Sequence, residues 1–201
     1  MYLNLLKLRG LRLHWRGPSS DSDEVPRPVL THPVPVVTMS IWKRHYSIAE
    51  LARHAAAKSP VTLMGTLEMR YEAIGEDYLV MSMPVSPRTH QPMGLLHGGA
   101  SVALAEEVGS VAANLCLPRD KIALGQEINA NHLRGVRSGR ITATARPVHL
   151  GGRSQVWGIE IRDDDDALIC ISRLTIAVGP RPPTATDIFP FAGESASGEP
   201  L

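Results

Sequence analysis

From Gly98 to Leu117, up to Pro118, the chain carries a run of helix-forming residues whose only charged side chains are the adjacent Glu106 and Glu107. Ala100, Val102, Ala103, Leu104, Ala105, Val108, Val111, Ala112, Ala113 and Leu115 point in nearly every direction around a helical turn. A helix apolar all round is a buried helix. Many of its residues are small, among them Ala100, Ser101, Ala103, Ala105, Gly109 and Ser110, so another backbone can come close, and the helix is expected to lie against or inside a curved sheet. Gly109 gives up about 1 kcal/mol of helix propensity relative to Ala, which points to a contact that a side chain would block. Two carboxylates in the middle of such a helix call for a chemical reason.

The sequence alternates on both sides of this helix. Leu67, Met69 and Tyr71 interleave with Glu68, Arg70 and Glu72, and Leu79, Met81, Met83 and Val85 interleave with Val80, Ser82 and Pro84, which reads as two strands. Beyond it, four more strands are expected at Ile122 to Leu133, Ile141 to Val148, Gln155 to Arg162 and Leu168 to Val178. Turn signals separate them at Gly135 to Gly139, Gly151-Gly152 and Asp163 to Asp166. Four strands with short links predict an antiparallel meander. Ser47 and Glu50 have capping-box spacing and predict a short helix at the start. The class is α+β.

The run Gln91-Pro92 with Gly94-Leu95-Leu96-His97-Gly98-Gly99-Ala100, followed by Leu104-Ala105-Glu106, resembles the hotdog-fold acyl-CoA thioesterases. So do Glu127-Ile128-Asn129-Ala130-Asn131-His132, His149-Leu150-Gly151 and Gln155-Val156-Trp157. The resemblance runs from about Ile41 to Val178. It is closest to the branch holding the phenylacetate-pathway and hydroxybenzoyl-CoA thioesterases and the 1,4-dihydroxy-2-naphthoyl-CoA hydrolases of menaquinone synthesis. It implies a curved antiparallel sheet wrapped around a long central helix, and hydrolysis of an acyl-CoA, aromatic rather than long-chain, without metal or cofactor.

Thioester hydrolysis needs oxyanion stabilisation and a positioned nucleophile or water. Backbone N–H groups at a helix N-terminus supply the first, since they are unsatisfied and carry the positive end of the helix dipole. Gly98 stands there, with no side chain to block approach. Glu106 lies eight residues farther on, roughly 12 Å along the axis, so it is not expected to serve its own helix N-terminus. The resemblance resolves this by dimerisation, with two sheets joined edge to edge and the Glu of one subunit opposite the Gly turn of the other; a dimer of dimers is the family's larger assembly. It further implies Glu106 as nucleophile or general base, Gly98 as oxyanion donor, Gln91 as a substrate-orienting amide, His97 near the thioester and Ser110 as a partner for the carboxylate or water. Glu107 is the alternative carboxylate, about 100° around the helix. For the coenzyme A phosphates the resemblance favours two segments, His132, Leu133, Arg134 and Gly135, and then His149, Leu150, Gly151, Gly152, Arg153 and Ser154, with Arg137 as a weaker candidate.

Other chemistries lack their motifs. The chain has no phosphate loop, no Gly-x-Gly-x-x-Gly after a strand and no Gly-x-Ser-x-Gly elbow. Its eight His residues and its two cysteines, Cys116 and Cys170, fall into no zinc spacing. Asp163 to Asp166 read as a solvated hairpin turn. A net charge of +1 gives no electrostatic case for nucleic acid or an acidic membrane, and no apolar run reaches the roughly 20 residues of a bilayer span. The expected location is the cytoplasm. Residues 1–40 and 179–201, rich in Pro or in Pro, Gly, Ser and Ala, read as flexible extensions around a single domain at 41–178. For the first 38 residues, a start codon placed too far upstream competes with a cleaved targeting peptide. The other function classes open to such a sequence are an acyl-CoA-sensing module without turnover and a hotdog hydratase or dehydratase.

Overall fold

The computed structural model describes residues 40–58 and 62–185. The expected N-terminal extension lies outside them except for residue 40, whereas residues 179–185 of the expected C-terminal one are described and the first two of these close the last strand. The element order is α1 (Ile48–Lys58), α2 (Leu63–Thr66), β1 (Arg70–Ile74), β2 (Leu79–Val85), a 3-10 turn (Pro87–Thr89), α3 (Gly98–Leu115), β3 (Lys121–His132), β4 (Gly139–Leu150), β5 (Ser154–Asp163) and β6 (Leu168–Pro180).

α1 starts at the expected capping box, where the Ser47 amide donates to Glu50 Oε2 at 2.8 Å and the Glu50 amide donates to Ser47 Oγ at 3.3 Å. The first strand begins later than the alternation suggested. Leu67 closes α2, whose N-cap Thr62 accepts the Gly65 amide at 3.3 Å, and Glu68 turns the chain with φ 54°. Met69 is therefore buried by a turn and not by a strand.

All six strands pair antiparallel in the order β1-β2-β4-β5-β6-β3. The meander expectation holds for β4, β5 and β6 and fails for β3, which pairs with β6 at the far edge and not with β4. The cause is visible where α3 ends. The Asn114 side chain takes the Ala123 amide at 3.0 Å and donates to the Ala123 carbonyl at 3.1 Å, which pins the start of β3 beneath the last helical turn. Residues 133–138 must then cross back to reach β4.

α3 packs chiefly on β2 to β6 and buries Leu104, Ala105, Val108, Ala112 and Leu115 against Met81, Met83, Ile141, Trp157, Ile159, Leu174 and Ile176. Each large aliphatic side chain so buried contributes about 1.5–3 kcal/mol. Gly109 is the close approach its propensity cost implied: a Cβ there would stand 2.7 Å from Leu174 Cδ2. Trp157 stacks on Trp42 with ring centroids 6.5 Å apart, and its Nε1 donates to Gln155 Oε1 at 2.9 Å. These motif residues are core. Asp163 Oδ1 accepts the amides of Asp165 and Ala167, so the acidic run is the expected hairpin turn.

One expectation about α3 needs correction. The helix is not buried on every side: Gly99 and Glu106 are exposed and Ala103, Ser110 and Asn114 are half-buried. At spacings of three and four residues these share one face. That open stripe runs beside β3, the long edge strand.

Candidate active site

The loop before α3 is built by its glycines and by the crossover that the sequence did not reveal. Gly94, at φ +72°, closes a turn in which its amide donates to the Gln91 carbonyl at 2.9 Å, and the Gln91 amide donates to the Leu95 carbonyl at 2.8 Å. The crossover packs onto this turn, with the Leu96 amide donating to the Val136 carbonyl at 2.7 Å and Arg137 Nη1 to the Gly94 carbonyl at 3.4 Å. Arg137 thus staples the turn, a structural use that its reading as a phosphate contact did not include.

His97 is the N-cap of α3. Its Nδ1 accepts the Gly99 amide at 2.8 Å, which places the ring proton, when the imidazole is neutral, on Nε2. The Gly98 amide has no acceptor among the described residues, and Gly98 lines a cleft of about 310 Å³ together with Gln91, Leu95, Leu96, Ser101, His132, Leu133, Arg134, Gly135 and Ile169. Gln91 Oε1 accepts the Met93 amide at 2.7 Å, so its NH₂ group is the end left to donate. His132 stands over Gly98, its Nε2 2.7 Å from where a Cβ would be. Ser101 and Ile169 were not singled out in the sequence. Ser101 falls on the cleft side of α3 one turn in from the N-cap, a position helical spacing alone could have flagged. Met93, in the same loop, is 75% exposed and outside this lining.

The cleft brings together Gly98, Gln91 and the first predicted coenzyme A segment. It does not include Glu106 or the second segment. Glu106 projects from the open stripe of α3 to β3, where its Oε1 lies 2.6 Å from the Cβ position of Gly125; Gly125 leaves room for the carboxylate. Ser110 follows one turn along the same stripe. The segment His149–Ser154 sits at the opposite end of the sheet, where the Val178 amide donates to the Arg153 carbonyl and Lys121 Nζ to the Gly152 carbonyl. His132 and Lys121 are the two ends of β3, a 12-residue strand that runs roughly 36 Å.

Glu107 turns the other way, toward β1. Burial pushes its carboxyl above the usual carboxylate range and the Glu106 charge adds to this; the Tyr71 phenol is raised in the same way, by burial first and Glu107 second. A carboxyl raised on folding binds its proton more tightly in the native state, so stability falls as pH rises from the unfolded value of about 4.3 through the raised one. Glu107→Gln should remove that loss. Its melting temperature should match wild type near pH 4 and exceed it at pH 7, by about 2–4 °C per kcal/mol for a chain of this size. A gap independent of pH in thermal melts would contradict this assignment.

The chain is similar to known proteins in both sequence and fold. The thioesterase superfamily model matches residues 93–170. The chain is 50% identical to the 1,4-dihydroxy-2-naphthoyl-CoA hydrolase of Escherichia coli (strain K12) over 138 residues, 69% of this chain and 98% of that protein. It is 46% identical to the proofreading thioesterase EntH of Cronobacter turicensis over 138 residues, again 69% of this chain and 98% of the relative. A solved thioesterase from Haemophilus influenzae superimposes with a TM-score of 0.66 at 46% identity, covering 70% of this chain and 95% of that one. With the hotdog arrangement and near-complete coverage of these relatives, the chain belongs to the thioesterase superfamily and is a thioester hydrolase.

Proposed function

We propose that this protein hydrolyses an aromatic acyl-CoA at a site shared by two copies of the chain. The substrate class is a hydroxynaphthoyl-, hydroxybenzoyl- or phenylacetyl-type thioester. The observation that carries the reading is the position of Glu106: exposed on an otherwise small-residue stripe, beside an unpaired edge strand, and two helical turns from the Gly98 amide of its own chain. An edge of 12 residues is a template for pairing. Two β3 strands pairing antiparallel about a two-fold axis carry Glu106, at Gly125, toward Gly98 and His132 of the partner subunit. The same pairing brings the second coenzyme A segment of one chain to the first segment of the other, which a single chain keeps apart.

In this arrangement the thioester oxygen accepts the Gly98 amide at the positive end of α3, and Gln91 donates its NH₂ group to hold the acyl or thioester oxygen. Glu106 from across the two-fold axis either attacks the carbonyl, forming a mixed anhydride that water then hydrolyses to the free acid, or takes a proton from a water that attacks the carbonyl, with Ser110 beside it. The thiol of coenzyme A leaves with a proton. Leu95, Leu96, Leu133 and Ile169 give the cleft the apolar walls an aromatic ring needs. Residues 41–178 are the catalytic unit, pairing as a dimer or a dimer of dimers in the cytoplasm, and a hydroxynaphthoyl substrate would give it a role in menaquinone synthesis.

The test is free-thiol release from benzoyl-, hydroxynaphthoyl-, phenylacetyl- and palmitoyl-CoA. Turnover of one or more aromatic thioesters in preference to palmitoyl-CoA supports the reading. Preference for palmitoyl-CoA overturns the aromatic assignment, and binding without turnover of any would make the chain an acyl-CoA-binding module.

A further inference from the structure

A second concavity, of about 340 Å³, lies at the far end of α3 from the Gly98 cleft. Its walls are partly apolar, with Ile41, Leu117 and Leu150, and two cations line it, Lys43 and Lys121. Lys121 opens β3 half-buried, and its Nζ donates to the Gly152 carbonyl at 3.4 Å. Lys43 is exposed at the rim, close enough to Cys116 for its charge to act on that thiol, which burial pushes up to about 12. Gly152 leaves open space where a side chain would stand. Arg153 follows it in the turn, and Arg119 and Arg181 lie alongside, where Arg181 Nε donates to the Arg119 carbonyl at 3.1 Å. Asp120 is the residue before Lys121, and its carbonyl accepts the Arg181 amide at 2.8 Å. A basic hollow with an open glycine turn and apolar sides has the chemistry of a site for a nucleotide with several phosphates.

We propose that Lys43 and Lys121 hold the nucleotide phosphates of the coenzyme A thioester and make the enzyme discriminate against thioesters that end at pantetheine. The inference rests on the shared site proposed above. Antiparallel pairing of two β3 strands places Lys121, at the start of one strand, beside the end of the partner's β3, where the Gly98 cleft opens. The thioester then sits in the cleft of one chain while the phosphates at the other end of its pantetheine arm reach the hollow of the other. An ammonium suits that end as a point charge with no directional demand.

The experiment is hydrolysis of one aromatic acyl group carried on coenzyme A and on pantetheine, by wild type and by Lys43→Ala/Lys121→Ala. Removing two charge-assisted hydrogen bonds from a partly solvated site should raise KM for the acyl-CoA about tenfold or more. kcat should stay within about twofold, because these groups act on ground and transition states alike. KM for the acyl-pantetheine should not move, and Lys43→Arg/Lys121→Arg should restore most of the loss on acyl-CoA. With wild type alone, adenosine 3′,5′-bisphosphate should compete with acyl-CoA, and added salt should raise KM for acyl-CoA but not for acyl-pantetheine. Equal KM changes on both substrates, no change on either, or wild-type kinetics that do not distinguish them by salt would overturn the proposal while leaving the thioesterase intact. No turnover of either substrate would overturn the function on which it rests, and the proposal with it.

Discussion

Glu106→Gln should abolish most turnover while leaving the fold and substrate binding in place. The side chain is exposed in the single chain and makes no contact on which the core depends, so a neutral amide of the same shape costs little stability. As a general base the carboxylate is worth about 10²–10⁴ in rate, and kcat should fall by that factor. KM should change little, because the group acts on the reacting carbonyl or water and not on the nucleotide. Glu107→Gln serves as the internal contrast, since its carboxyl faces β1 and is held away from the ionised form by burial. If Glu107→Gln loses the activity and Glu106→Gln keeps it, the roles of the two acids are reversed.

The second large effect is expected at Gly98. An added methyl would come within 2.7 Å of His132 Nε2 and would occupy the approach to an amide that has no acceptor among the described residues. Removing one donor from an oxyanion hole costs about 10²–10³ in kcat, and Gly98→Ala should fall in that range. The fold should survive, because the clash is with the end of a movable side chain and Ala is a better helix former than Gly. Gly98→Ala combined with His132→Ala separates two causes. A double variant as slow as Gly98→Ala assigns the loss to the blocked amide, whereas recovery of activity would assign it to a displaced imidazole.

Much of this arrangement could be read from residue patterns because the relevant physics is local. The capping box at Ser47 and Glu50, the helix from Gly98 and the positions of β2 to β6 follow from spacing and turn residues within a few neighbours of each other. The cost of Gly109 correctly pointed to a close contact, which is Leu174. The place of β3 was not legible, since strand order depends on which edge the chain enters. Here that is decided by Asn114 gripping Ala123, a contact between an ordinary helix polar residue and a strand. The crossover 133–138 was missed for the same reason, and with it the structural use of Arg137. The open stripe on α3 was hidden because Gly99, Ala103 and Ser110 are small, so they read as core whether they meet a sheet or a second copy of the chain. Glu106, the one charge on that stripe, was the signal that this face differs.

The claim that two chains build each site is tested most directly by mixing Glu106→Ala subunits with Gly98→Ala subunits, after confirming that each variant alone is inactive. In a mixed dimer one site receives both defects and the other receives an intact Glu106 from one chain and an intact Gly98 from the other. Random pairing makes half of the dimers mixed, so activity should return to roughly a quarter of wild type. If each chain supplied its own Glu106 and Gly98, every site would carry one defect, and the mixture would stay as inactive as its components.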